Sequence, residues 1–205
     1  PLYSSAASDV YKRQSLSDSG IPSRRSLACA EGIFACLPHV VKPPSIVDSM
    51  EIRATQESDR TYLARLNFLT DTFGDEHGEL SPDFADDFAF YVENWEPNQG
   101  GFIAWDELVP AGGVWLNWGT EDNHGFGFVE PAIPELAIAV EARYKGQGIG
   151  TALIDAAISL AQTLRAPGIS LAVHPDNPRA KGLYEHLGFE HVGSHAGHFV
   201  MVKRF

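Results

Sequence analysis

Residues 135–164 read ELAIAVEARYKGQGIGTALIDAAISLAQTL. Six alternating residues give way to glycines at alternate positions, Gly146, Gly148 and Gly150, and then to apolar residues at helical spacing. A period that changes this abruptly admits little except a strand, a tight turn and a helix. In the strand, Leu136, Ile138 and Val140 share one face, and Glu135, Ala137 and Ala139 the other. In the helix, Ile149, Leu153, Ala157, Leu160, Ala161 and Leu164 form the apolar stripe, and Ala166-Pro167-Gly168 stops it. At the turn, Gln147, Gly148, Ile149, Gly150 and Thr151 offer amides that have no acceptor inside the helix. The helix dipole there favours an anion, and glycine lets a bulky diphosphate reach the backbone. Lys145 adds a positive charge. A plain flexible turn and a close-packing device without a ligand are the competing readings. Two other phosphate loops fit badly. A Walker loop needs Gly-Lys-Ser/Thr where Gly150 is followed by Thr151 and Ala152. The dinucleotide fingerprint needs a glycine where Thr151 stands.

The remaining elements follow from the same reasoning. Residues 51–55 suggest a short strand. Thr55 or Ser58 is the expected cap of a helix with Glu57 and Asp59 in its first turn; Tyr62, Leu63, Leu66, Leu69 and Phe73 recur along it, and Gly74 ends it. Ser81-Pro82-Asp83 opens a second helix, over 81–95, with Phe84, Phe88 and Tyr91 on one side. The period then drops to 2: residues 100–105 and 111–119 read as neighbouring strands around the turn DELVP, followed by a glycine-broken loop. Residues 169–173 form a further strand. Asn177 caps a helix with Pro178 first inside it, striped by Ala180, Leu183, Tyr184 and Leu187 and ended by Gly188. Two closing strands complete the order β-α-α-β-β-β-α-β-α-β-β. The expected fold is a single α/β domain, an α+β mixed central β-sheet flanked by helices.

Residues 1–49 show no sustained periodicity. The run SSAASDVYKRQ, residues 4–14, resembles a translated sequencing adapter and is set aside from fold reasoning. The expectation is a non-native or disordered extension over 1–49 and one domain over 50–205. Both cysteines, Cys29 and Cys36, fall in the extension, so the domain has neither a disulfide nor a thiolate metal site. A reducing cytoplasm fits this. No apolar run approaches the length of a membrane span, so no membrane partner is expected. The 205 residues carry a formal net charge of -12. That balance argues against nucleic acid as the main partner and attracts a cationic amine.

Lys145-Gly146-Gln147-Gly148-Ile149-Gly150 resembles the acyl-CoA signature Gln/Arg-x-x-Gly-x-Gly/Ala of the GCN5-related N-acetyltransferase (GNAT) superfamily. Lys145 replaces the usual Gln or Arg, which keeps the charge and loses the forked donor. Residues 174–189, HPDNPRAKGLYEHLGF, are similar to the family's second segment through Asn177, Ala180, Leu183, Tyr184, Leu187, Gly188 and Phe189. The resemblance covers about residues 50–205 and implies acetyl-CoA as co-substrate and no metal. It also implies that strands 135–140 and 169–173 splay apart. Backbone groups of Ile138, Ala139 and Val140 would then pair with the pantetheine arm, while residues 145–151 and Asn177 hold the rest of the molecule.

The implied reaction is direct transfer of an acetyl group to a primary amine of a small molecule or peptide. Tyr184 is the expected proton donor to the leaving sulfur, and a phenol near pKa 10 holds that proton at neutral pH. Glu135 is the expected general base, with Glu130 and Glu141 as rivals. A backbone amide of strand 135–140 would hold the oxyanion. Trp95, Trp115, Trp118, Phe126 and Phe128 are candidates for the acceptor pocket or, on burial habits, for the core. His191, His195 and His198 match no metal-ligand spacing. An acyl-CoA-binding sensor without catalysis is the alternative on the same fold. Dimers are frequent in the family, which makes a homodimer an expectation to which the sequence attaches no interface.

Overall fold

A computed structural model describes residues 49–205. The expectations for residues 1–48, including the adapter-like run, lie outside the described residues. Seven strands form one mixed sheet in the order β1-β2-β3-β4-β5-β7-β6. They are β1 (Glu51–Ala54), β2 (Gly101–Asp106), β3 (Val109–Asn117), β4 (Glu135–Val140), β5 (Gly168–Val173), β6 (Glu190–His195) and β7 (His198–Arg204). The helices are α1 (Arg60–Asp71), α2 (Phe84–Phe88), α3 (Ile149–Thr163) and α4 (Pro178–His186). The expected order of elements holds throughout.

The alternation in β4 sorts its side chains between two cores. Leu136, Ile138 and Val140 pack with Ile149, Leu153, Ile154 and Ala157 of α3. Ala137 and Ala139 pack on the opposite face with Leu63, Leu66 and Leu69 of α1 and with Trp115. Fully burying a leucine such as Leu63 or Leu66 contributes about 2 kcal/mol. Trp95 and Trp115 belong to this second core and are fully buried, so the reading of them as core residues is the right one. Trp118 packs against the first core, and Phe128 stacks on His124 at 4.4 Å.

Three local expectations are corrected. The cap before α1 is a reciprocal box between Gln56 and Asp59, with the Gln56 amide donating to Asp59 Oδ2 at 2.8 Å; neither Thr55 nor Ser58 performs it. Phe73 leaves the stripe because α1 ends before it: its φ is 53° and the residue is 52% exposed. The second helix is shorter than residues 81–95, since α2 widens after Phe88 into a π turn, Ala89–Glu93, closed by the Asn94 amide on Ala89 O at 2.9 Å. The last carbonyls of this turn stand at a helix terminus and take partners from outside it. Tyr91 O accepts the Trp115 indole N–H at 2.8 Å, and Val92 O and Glu93 O accept Arg60.

Candidate active site

β4 and β5 are parallel and share a single register pair, Glu135 with Ser170. The Ser170 amide donates to Pro134 O at 3.0 Å just before they part. Every β4 residue pairs with β3 on its other side. From Leu136 onward the strands diverge around a cavity of about 950 Å³. This volume lies within the usual range for small-molecule sites. Ile138, Ala139 and Val140 line it.

The glycine turn forms one end of the cavity. Gly146 and Gly148 have φ of 81° and 88°, a region that side-chain-bearing residues rarely adopt. Gly148 is the N-cap of α3, and the first helical bond runs from the Ala152 amide to Gly148 O at 3.1 Å. The amides of Ile149, Gly150 and Thr151 therefore stand at an open helix terminus. A Cβ placed on Gly150 would meet only Val140 Cγ2, at 3.9 Å, and one on Gly146 only Arg179 Nη2, at 3.5 Å. Packing within the protein does not require bare backbone at either position, which removes the close-packing reading for these two. Lys145, Gly146, Gly148, Ile149, Gly150 and Thr151 all line the cavity. Gln147 instead folds back, its Nε2 donating to Arg143 O at 3.0 Å. Lys145 Nζ donates to Phe73 O at 3.2 Å. Arg179, from α4, is a second cation on the cavity wall that sequence reasoning missed. These donors and charges suit an anion such as a diphosphate.

Asn177 Oδ1 accepts the Ala180 amide at 3.1 Å, so it caps α4 while lining the cavity. Two turns on, Tyr184 lies in the wall, buried, with its ring edge-on to Phe189 at 5.9 Å. Burial pushes its phenol up to about 12, so it keeps its proton at neutral pH.

The other end of the cavity is acidic. Asp71, Asp83 and Asp87 line it. Burial, and then the charges of Asp71, Asp83 and Asp86, raise the Asp87 carboxyl to about 7. Glu135 is 4% exposed. Its Oε1 accepts the Tyr91 hydroxyl at 2.7 Å and the Gly127 amide at 2.8 Å. Its Oε2 is shut off from solvent without a hydrogen-bond partner. Burial raises its carboxyl to about 7, against the two hydrogen bonds, which pull it down. Asn117 stands opposite Glu135 in the β3–β4 ladder, with its side-chain amide buried and unpartnered.

The rival carboxylates lie elsewhere. Glu141 takes a two-pronged hold from Arg65, with Nε and Nη2 each at 2.7 Å, and is held below the usual carboxylate range. Glu130 meets Arg204 at 3.3 Å on the surface. Of the candidate pocket aromatics, Phe126 lines the cavity, stacked on His198 at 4.5 Å. Tyr91, Asp87, Asn117 and His174 were missed as site residues. The one available signal was the HGFGF run, whose Gly125 and Gly127 let the loop lie directly on Glu135. Among the described residues, no group of three or more His, Cys, Asp or Glu side chains is set to hold a metal ion. Among the same residues, no helix is long and apolar enough to cross a membrane.

The sequence profile of the Acetyltransferase (GNAT) family matches residues 66–189. The chain is 27% identical over 179 residues to a mycothiol acetyltransferase of Corynebacterium aurimucosum, covering 74% of this chain and 52% of that protein. It is 32% identical over 102 residues to N-alpha-acetyltransferase 30 of Schizosaccharomyces pombe, covering 50% and 63%. The chain spans about half the length of the curated relatives it matches. Among solved structures, a PaiA N-acetyltransferase of Thermoplasma acidophilum in complex with coenzyme A is similar at a TM-score of 0.58 and 18% identity, over 77% of this chain and 99% of that one. At that identity the likeness is one of fold.

Proposed function

We propose, from the premise that this chain belongs to the GNAT acetyltransferase family, that it transfers the acetyl group of acetyl-CoA to a primary amine of a small molecule or peptide, by direct attack in a ternary complex. One observation carries the reading. A single cavity joins an amide cradle flanked by Lys145 and Arg179, a proton-bearing phenol at Tyr184, and an acidic end at Asp87 and Glu135.

In this reading the cradle amides of residues 149–151, with Lys145 and Arg179, hold the diphosphate. The open edge of β4 at Ile138, Ala139 and Val140 holds the pantetheine arm, and Asn177 borders it. Bound acetyl-CoA supplies a thioester carbon open to attack. The acidic end draws in an alkylammonium, whose pKa of about 10.4 leaves it almost wholly protonated at neutral pH. Glu135 is the final acceptor of that proton, and at about 7 it is poised near working pH. Tyr184 gives its proton to the departing sulfur. Having both groups in one cavity supports catalysis over a binding module that only senses acyl-CoA. The cysteine-free stretch from residue 50 supports work in a reducing cytoplasm.

A thiol-release assay with acetyl-CoA and a panel of primary amines tests this. Release is expected to depend on the amine and to fall on the order of 10²-fold in Tyr184→Phe. Thiol release that no amine raises above hydrolysis would overturn it.

A further inference from the structure

We infer that Tyr91, a residue of the π turn, is the group that meets the acceptor nitrogen, and that it hands the amine's proton to Glu135. The inference rests on the acetyl-transfer reading above and adds the route the proton takes.

The geometry around Glu135 leaves an amine no room at the carboxylate. Oε1 is saturated by the Tyr91 hydroxyl at 2.7 Å and the Gly127 amide at 2.8 Å. Oε2 is closed off from solvent. The loop backbone explains the closure: a Cβ on Gly125 would fall 2.6 Å from Oε2, and one on Gly127 would fall 2.8 Å from Oε1. The same backbone lies on the Tyr91 hydroxyl, into which a Cβ placed on Gly125 would run, so the carboxylate and the hydroxyl bonded to it sit together under a glycine lid.

Tyr91 is built for the relay. Its hydroxyl donates to Glu135 and accepts the Phe126 amide at 3.0 Å. A phenol oxygen has a second lone pair, and the hydrogen bonds within the protein leave that one unclaimed. Tyr91 lines the same cavity as Tyr184 and Asp87. Its backbone is pinned by Trp115 through Tyr91 O at 2.8 Å, and its ring lies edge-on to Phe90 at 4.9 Å. The oxygen is thus held in place before any substrate arrives.

The proton count closes. An N–H bond of the ammonium breaks as an O–H bond forms on Tyr91. The original Tyr91 O–H breaks as an O–H bond forms on Glu135 Oε1. The phenol is neutral before and after, Glu135 goes from carboxylate to acid, and the amine becomes a free nucleophile. The second N–H proton, lost as the tetrahedral adduct collapses, balances the one that Tyr184 gives to sulfur. Burial holds the Tyr91 phenol well above its ordinary value, so a phenolate plays no part. Asp87 is the other charge that bears on the pair, and its repulsion favours the protonated Glu135. Asn117 faces Glu135 from β3 as a neutral amide.

The test uses the full chain, acetyl-CoA and the best amine of the panel. In Tyr91→Phe, kcat/KM at pH 7 is expected to fall 10²–10³-fold, with coenzyme A binding by calorimetry unchanged. The loss should shrink steadily as pH rises toward the amine's own pKa, where no base is needed. Glu135→Gln should lose a similar factor, and the double variant should lose no more than either single one. A pH-independent loss, losses that multiply, or a Tyr91→Phe protein within 3-fold of the parent would overturn the relay. If Tyr91→Phe fails to bind coenzyme A, 3-fluorotyrosine placed at position 91 replaces it. That stronger donor should move the acidic limb of the pH–rate profile to lower pH, and an unmoved limb refutes the relay. A parent protein with no amine-dependent turnover sinks the acetyl-transfer reading instead, which is a separate result.

Discussion

Replacing Glu135 by Gln should make the protein more stable at pH 8 and leave it no more stable at pH 5. Glu135 has an ordinary value of 4.5 and is raised to about 7 in the fold, first by burial. A carboxyl raised on folding binds more protons folded than unfolded between those two values. Stability therefore falls as pH climbs through that window and is fully retained only below it. At about 1.4 kcal/mol for each pH unit between the two values, ionising Glu135 costs about 3 kcal/mol above pH 7. Gln keeps an acceptor for Tyr91 and Gly127 but puts an NH2 group where Oε2 finds no partner, which takes back about 1–2 kcal/mol. The net gain at pH 8 is then about 1–2 kcal/mol, or roughly 2–8 °C in Tm for a domain of this size. Below pH 5 the variant should be equal or weaker by about 1–2 kcal/mol. Asp87, also raised to about 7, is common to both proteins, and its repulsion of an ionised Glu135 is already part of the Glu135 cost. Urea unfolding of both proteins from pH 5 to 8.5 measures it. A stability difference that stays flat with pH would refute the assignment of a buried, ionisable cost to Glu135, whatever the activity does.

Two further outcomes follow from the geometry. Gly148→Ala places a Cβ at a φ of 88°, which costs about 1–2 kcal/mol of backbone strain and disturbs the amide cradle; coenzyme A affinity by calorimetry should fall at least tenfold, and an unchanged affinity would remove the cradle from the site. Asp87→Asn should raise KM for cationic amines several-fold, less so at high salt, while leaving KM for acetyl-CoA alone; an equal rise for both substrates would mean a general distortion.

Much of this molecule was legible in the sequence because its strongest signals are local. The switch between periods marks the strands between residues 100 and 140, and the run from Lys145 to Thr151 carries its own turn chemistry. Asn177, Pro178 and Gly188 punctuate α4 as their conformational preferences dictate. What escaped depends on partners distant in the chain. Tyr91 and Glu135 are 44 residues apart, and only the fold brings their oxygens together. The π turn that aims Tyr91 has no sequence mark, since one extra residue in a helical turn leaves the apolar spacing nearly intact. Phe73 looked like a stripe residue because periodicity cannot tell where a helix stops when Gly74 lies a single position beyond it. The tryptophans were ambiguous for the same reason: size and apolarity suit a pocket or a core, and the register of β3 against β4 decides which.

The parting of β4 and β5 also has a mechanical side. Four strands lie to one side of that gap and three to the other. One rung, at Glu135 and Ser170, is the ladder between them. Beneath the gap the halves are tied by α3, whose Ile149, Leu153 and Ala157 share one core with Leu136 of β4 and Leu171 of β5. A coenzyme bound in the gap would add to that tie, so thermal stability should rise with the concentration of coenzyme A.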